Sequence, residues 1–132
     1  MIYIVLNGGA IPAATLAGLL LGIVYQIIAD RRQISARSWA GSLAFAFLAE
    51  AWLCAILAGA LILAPPKGSV WTMTVGSAVV IWLGFVVPSL AASYRMRAQP
   101  VRAALVDCGY WLVVMLAQAV MLRVIGLVPP PV

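Results

Sequence analysis

Histidine is absent, and only three residues are acidic: Asp30, Glu50 and Asp107. The first absence excludes bis-histidine haem, zinc-histidine sites and Ser-His-Asp triads together. Charge of either sign is scarce: 8% of the 132 residues are charged and 66% are apolar, against roughly 25% and 45–50% in soluble domains. A water-soluble globular domain is therefore excluded, and a bilayer becomes the natural solvent. The two cysteines, Cys54 and Cys108, lie far apart in apolar segments without a CxxC spacing and read as small buried hydrophobes. No phosphate-cradling glycine loop, nucleophile elbow or carboxylate pair at catalytic spacing occurs. The chain is accordingly expected to be no enzyme and to carry no cofactor and no metal.

What the sequence does contain is long uncharged runs. A crossing of ~30 Å of hydrocarbon takes ~20 residues, and four runs of that order fit, at about 11–29, 39–64, 70–94 and 102–126. Pro12 sits in a first turn, where its missing N–H costs nothing. Asp30-Arg31-Arg32 closes the first run, Pro65-Pro66-Lys67-Gly68 turns the chain after the second, and Pro129-Pro130-Pro131 follows the fourth. The N-terminus lacks a basic n-region, so the first helix is expected to be retained rather than cleaved. Short connections make antiparallel neighbours. The expected fold is a single all-α transmembrane domain over 1–132, a four-helix up-down bundle of two hairpins.

The formal charge of +5 does not form the continuous basic stripe that nucleic acid requires. Six of the eight basic residues fall in two clusters, Arg31-Arg32-Arg37 and Arg95-Arg97-Arg102, while Lys67 and Arg123 lie toward the other side. The positive-inside rule then places both arginine loops in the cytoplasm and both termini on the non-cytoplasmic side of a bacterial cytoplasmic (inner) membrane. Those six arginines are also placed to anchor on anionic lipid headgroups. Trp39, Trp71, Tyr94 and Trp111 fall near span ends, as interfacial aromatics do. Trp52 and Trp82 fall deeper and are expected to pack between helices.

Helices in lipid associate through close packing and hydrogen bonds, so small residues should line their seams. Ala14, Gly18 and Gly22 are spaced four apart, as are Ala51, Ala55 and Gly59; Gly76 and Gly84 are eight apart. Each set marks one helix face as a candidate seam. Pro88 removes a backbone bond inside the third run and predicts a kink near Gly84.

Ionisable residues within a span are expensive and are functional candidates by default. Asp107 stands about 7 Å into the fourth helix at 1.5 Å per residue. Its structural reading is an interfacial ion pair with the arginines; its functional reading is transport or binding. Arg123 reads as a snorkelling side chain at the outer interface. Glu50 lies about 16 Å beyond Trp39, with no basic residue at its depth. Either it bonds a partner such as Ser77 or Trp82, or it faces a polar cavity; an outward-shifted second helix would instead bring it toward an arginine. Gln26 and Gln118 are uncharged and read as interhelical hydrogen-bonding groups.

Gly84-Phe85-Val86-Val87-Pro88 through Arg95, followed by Ala104 to Trp111 with its Asp107-x-x-Tyr110 pair, resembles the second half of a bacterial domain-of-unknown-function family of four-span membrane proteins, DUF family 1761. Leu21-Gly22-Ile23-Val24-Tyr25 is similar to the motif closing that family's first helix, with Trp39 as the tryptophan downstream. The chain departs from the pattern at Val24, where tryptophan is usual, and at Gln26-Ile27, where a small residue and proline are usual. The resemblance implies Gly22, Tyr25, Gly84, Phe85, Pro88, Asp107 and Tyr110 as the positions of interest, and no activity. Asp107 and Tyr110 share a helix face, and Tyr25, Tyr94, Asp107 and Tyr110 are expected together at the cytoplasmic end.

Small size and small-residue seams lead to one expectation: a non-enzymatic membrane protein acting as a homo-oligomer or as an accessory subunit of other membrane components. The alternative is a small oligomeric transporter or channel with a proton or cation path through Glu50 or Asp107. A polar cavity reaching Glu50, as opposed to a dry seam around it, separates the two.

Overall fold

The computed structural model describes residues 2–28, 36–65 and 68–131, the side chains of 36–40 excepted. Those residues form α1 (Ile2–Leu6), α2 (Ala10–Ile28), α3 (Ala36–Leu63), α4 (Val70–Ile81), a wide turn (Trp82–Val86), α5 (Val87–Met96) and α6 (Val101–Ile125), and they contain no strand. Four stretches are long and apolar enough to cross a bilayer: Ala10–Ile28, Gly41–Leu63, Val70–Met96 and Val101–Ile125. The expected spans agree with these within a few residues. Arg31, Arg32 and Lys67 lie outside the described residues, and Arg37 and Trp39 are described in backbone only.

α6 is the central element. It packs most extensively on α2, then on α4, α5 and α3, while α2 also lies along α3. The residues at these contacts are small: Ala10, Ala14, Ala55, Ala58, Ala78 and Ala119 are all buried, and Leu57 and Leu122 fill what the alanines leave. The large side chains point the other way, with Leu20, Leu48, Val80 and Phe85 each more than half exposed. This partition is the one a lipid solvent selects, because tails wet leucine as well as a protein core does, and only shape distinguishes inside from outside. Trp52 follows it: at 61% exposed it faces outward, which corrects its expected place between helices. Trp82 does turn inward, and its indole N–H donates to the Cys108 carbonyl at 2.8 Å.

The bundle's ends are closed by specific backbone devices. α1 is a short turn of helix that the sequence pattern does not reveal, joined to α2 through Asn7-Gly8-Gly9. The Asn7 amide donates to the Tyr3 carbonyl (2.8 Å) and the Val128 carbonyl (2.9 Å), and its oxygen accepts from the Val128 N–H (2.8 Å). One buried side chain thereby fastens both ends of the chain at one end of the bundle. Gly126, at φ 92°, supplies the left-handed residue that ends α6 and sends Val128 to Asn7. At the other end, α5 stops in a Schellman motif: Gln99 N–H bonds Tyr94 O (3.0 Å) and Ala98 N–H bonds Arg95 O (3.2 Å). Its left-handed position holds Ala98, at φ 53°, where glycine is usual. Pro100 then caps α6.

Pro88 disturbs the third span as expected, through a wide turn of the helix rather than a simple bend. Val87 N–H reaches back five residues to Trp82 O, and the Ser89 hydroxyl donates to Phe85 O at 2.6 Å. Both are ordinary ways for a membrane helix to absorb a proline. Gly76 and Gly84, however, meet nothing within 4 Å. Among the described residues that stripe faces no other helix at close range, so any seam it makes is with a neighbour outside this chain's described part.

Two stability outcomes follow. Ala98→Gly removes the left-handed strain and should raise stability by about 0.5–1 kcal/mol. Asn7→Ala strands the groups at both chain ends and should lower it by about 2 kcal/mol; thermal unfolding in detergent measures both.

Candidate functional site

Three helices converge on a line of polar residues that starts near the Arg95–Arg102 turn and runs past the middle of the bundle. α2 contributes Thr15, Gly18, Gly22 and Tyr25, spaced three and four apart and so on one face. α3 contributes Glu50, near its midpoint, and α6 contributes Asp107, Tyr110 and Gln118. Two of these groups, Tyr25 and Asp107, are assembled into a latch, and two, Glu50 and Gln118, keep polar atoms without a partner among the described residues.

The latch centres on Asp107. Tyr25 donates its hydroxyl to Oδ1 at 2.5 Å, and Tyr94 donates to Oδ2. One carboxylate therefore ties α2, α5 and α6 together, across 82 residues of chain in the case of Tyr25. Tyr25 also stacks on Tyr110, ring centroids 4.4 Å apart and planes 11° off parallel, and Tyr110 meets Trp111 at 5.4 Å. The expected gathering of Tyr25, Tyr94, Asp107 and Tyr110 is thus present. The expected pairing of Asp107 with arginines of that end involves Arg31, Arg32 and Arg37, whose side chains lie outside the described residues.

Deeper in, the glycines of α2 act as cradles for polar side chains. A Cβ on Gly18 would stand 2.6 Å from Glu50 Oε2 and 2.7 Å from Gln118 Nε2; one on Gly22 would stand 2.7 Å from the Tyr110 hydroxyl and 3.6 Å from Glu50 Oε1. The missing side chains let a carboxyl, an amide and a phenol lie directly on the α2 backbone. Gly59 does the same on α3, where the Tyr3 hydroxyl would stand 2.9 Å from an added Cβ. These are glycines of the expected seams, and what fills them is polar side chains.

Glu50 is 2% exposed and Gln118 is fully buried. Neither Oε2 of Glu50 nor either polar atom of the Gln118 amide has a hydrogen-bond partner among the described residues. Trp82, a proposed partner for Glu50, is engaged with Cys108, and Gln118 makes none of the interhelical bonds expected of it. The Glu50 carboxyl accepts instead from the Tyr110 hydroxyl, and the Gln118 amide, beside Glu50 at Gly18, closes no bond among the described residues.

Glu50 also lines a cleft of about 300 Å³, together with Tyr25, Gln26, Phe45, Asp107, Tyr110 and Trp111. The cleft runs along α2, α3 and α6 and brings Gln26 and Phe45, exposed at its rim, into line with the buried carboxyl. Phe45 and Trp111 carry no periodicity signal that could have marked them, because both belong to continuous apolar runs. Gly84, Phe85 and Pro88 are exposed on the third span and line no part of the cleft. Arg95, Arg97 and Arg102 are exposed at the adjoining turn. Arg123 lies toward the opposite end, half-buried in a second cavity of about 260 Å³ beside Leu61, Pro65 and Thr74. Among the described residues no group of three His, Cys, Asp or Glu side chains is arranged to hold a metal ion.

A four-helix bundle with membrane-span lengths and a buried carboxylate at the inner end of a cleft defines a polytopic membrane protein with an intramembrane polar site. The chain belongs to the family described as Protein of unknown function (DUF1761), whose model matches residues 9–123. That match spans the first three long helices, all but the last two residues of the fourth, and every residue of the cleft and latch. No curated protein matches the chain, and no solved structure does.

The latch and the cradle respond differently to substitution. Asp107→Ala removes the acceptor shared by three helices and should cost about 1–3 kcal/mol at membrane hydrogen-bond values. Gly18→Ala asks only that the flexible ends of Glu50 and Gln118 give way, so its thermal shift should be the smaller of the two; an equal shift contradicts the assignment of Asp107 as the tie.

Proposed function

We propose that the protein is a non-enzymatic membrane transporter or channel for a small cation or proton, with Glu50 as its intramembrane binding group. The observation that carries this reading is the cleft that ends on a buried, incompletely bonded carboxyl. A charge at the helix centre costs ~2.5–3.5 kcal/mol by insertion scales. A seam built for packing alone would be better served by an apolar residue there, or by a carboxyl with all its partners in place. Glu50 has neither arrangement, and a carboxyl in a polar cleft is suited to exchange a proton for a cation. Asp107, held by Tyr25 and Tyr94, shapes the wider end of the cleft. The positive-inside distribution supports a cytoplasmic opening of that end and residence in the bacterial cytoplasmic membrane.

A second reading, that the chain works as one subunit of a homo-oligomer or of a larger membrane complex, draws on the third span. Only 6% of its apolar window is buried by the rest of the chain, against 22–39% in the other three spans, and its Gly76 and Gly84 are open to a close neighbour. The two readings are compatible.

Purified protein in proteoliposomes should support a cation or proton flux that Glu50→Gln abolishes and Asp107→Asn reduces. No flux from any variant, or flux indifferent to Glu50, overturns the transport reading. Cross-linking in native membranes should capture the third span against a neighbour if the second reading holds, and a strictly monomeric, partnerless species rejects it.

A further inference from the structure

We infer that the cation bound by Glu50 is a proton, seated on the carboxyl oxygen beside Gly18 and bonded there to the Gln118 amide. The inference rests on the reading of Glu50 as a binding group and names the ion that its seat admits.

Two buried side chains meet at Gly18 with hydrogen-bonding capacity unspent. Gln118 is fully buried and Glu50 is 2% exposed. Glu50 Oε2 and both polar atoms of the Gln118 amide are closed off from solvent and have no hydrogen-bond partner among the described residues. Such atoms are rare in folded proteins and ask for an explanation. Space decides what can satisfy them. A carbon on Gly18 would stand 2.6 Å from Glu50 Oε2, 2.7 Å from Gln118 Nε2 and 3.1 Å from Val114 Cγ1, so the seat has no room even for a methyl group. A divalent metal ion asks for some six or more oxygens around it, and an alkylammonium ion asks for more room still. A proton asks for none. Its arrival on Oε2 makes an O–H bond, turns the carboxylate into a neutral acid and breaks no other bond. Charges of either sign at the mouth of the cleft do not decide the occupant, because the seat lies deeper, between α2, α3 and α6.

The chemistry of the pair agrees. An ionised carboxyl only accepts hydrogen bonds, whereas a primary amide both donates and accepts. The carboxylate can take the Gln118 N–H but leaves the amide oxygen facing an anion. The neutral acid supplies the donor that this oxygen lacks, and α3 is then bonded to α6 through two uncharged side chains. One turn along α2, over Gly22, the Tyr110 hydroxyl lies beside Glu50 Oε1 and donates to the carboxyl. Tyr110 and Glu50 both line the cleft, which gives the proton its way in. A half-turn of the carboxyl then carries it from the Oε1 position to the Oε2 position. The titratable neighbours of Glu50 among the described residues are Tyr110 and, beyond it, Asp107 on α6, Tyr25 on α2 and Cys54 on α3; α4, which also packs on α3, carries none.

Glu50 is the only glutamate in the chain, so glutamate labelled isotopically at its side-chain carboxyl carbon marks it without any substitution. Infrared difference spectroscopy of the labelled full chain in lipid, between alkaline and acid buffer, is the test. A protonated-carboxyl stretch that the label displaces should appear while the protein stays folded, and sodium chloride added at constant pH should not deplete it. The band should move to higher frequency in Gln118→Leu, as an acid's stretch does when its O–H loses an acceptor; a merely structural role for Gln118 would not move it. Gln118→Met serves if Gln118→Leu does not purify folded. No label-sensitive band at any pH where the fold holds, its depletion by sodium, or a band indifferent to loss of the Gln118 amide overturns the inference. Glu50-dependent sodium flux without the band overturns it too and leaves the transport reading standing. The band with its Gln118 dependence, but without flux of any cation, upholds it and removes transport.

Discussion

Hydrocarbon accepts and donates no hydrogen bonds, and nearly every feature of this bundle answers to that constraint. Backbone groups in the spans are satisfied within helices, and where they are not, a side chain intervenes. Thr15 and Thr74 return their hydroxyls to carbonyls one turn back, at 2.8 Å each. Ser69 caps α4. Trp82 takes the Cys108 carbonyl, and Asn7 closes the two chain ends upon each other. Asp107 is the same principle applied to a charge: an acidic group about a quarter of the way along α6 accepts from Tyr25 and Tyr94, and the three helices they belong to are fastened as a consequence.

Glu50 and Gln118 stand out against that pattern. In a chain that satisfies its other interior polar groups by local bonds, a carboxyl and an amide lie against the bare backbone of Gly18 with atoms left over. The glycines at 18 and 22 keep them there, since any side chain on α2 would push them aside. The same small residues that let membrane helices approach one another are used here to hold polar side chains at the end of a cleft. Among the described residues, two acids and four aromatic rings line that cleft.

Much of this was legible in the chain before folding was considered. Scarcity of charge named the solvent, proline and arginine punctuation placed the span ends, and Glu50 stood out as the charge without a partner at its depth. The gathering of Tyr25, Tyr94, Asp107 and Tyr110 followed from their shared register near the arginine turns. What stayed hidden has one physical cause: in lipid both faces of a helix are apolar, so hydrophobic periodicity carries no burial signal. Trp52, Phe45 and Trp111 are equivalent to any such signal, yet Trp52 and Phe45 are both more than half exposed, Phe45 at the rim of the cleft, while Trp111 lies along it. The Gly76 and Gly84 stripe has the same spacing grammar as Gly18 and Gly22 but, among the described residues, faces no other helix at close range. Gln118 looked like an ordinary bonding amide because its neighbour, a glycine, offers no side chain to bond. The Asn7 to Val128 closure spans 121 residues, a separation at which no local pattern operates.

The central claim is that Glu50 is a carboxyl open to a cleft inside the membrane and not one sealed in a packing seam. Its reactivity toward dicyclohexylcarbodiimide, an apolar reagent for carboxyl groups, read by peptide mass spectrometry on the folded protein, addresses that most directly. The account predicts an adduct on Glu50 that Glu50→Gln lacks. A folded protein whose Glu50 stays unmodified under conditions that label Asp107 would contradict it.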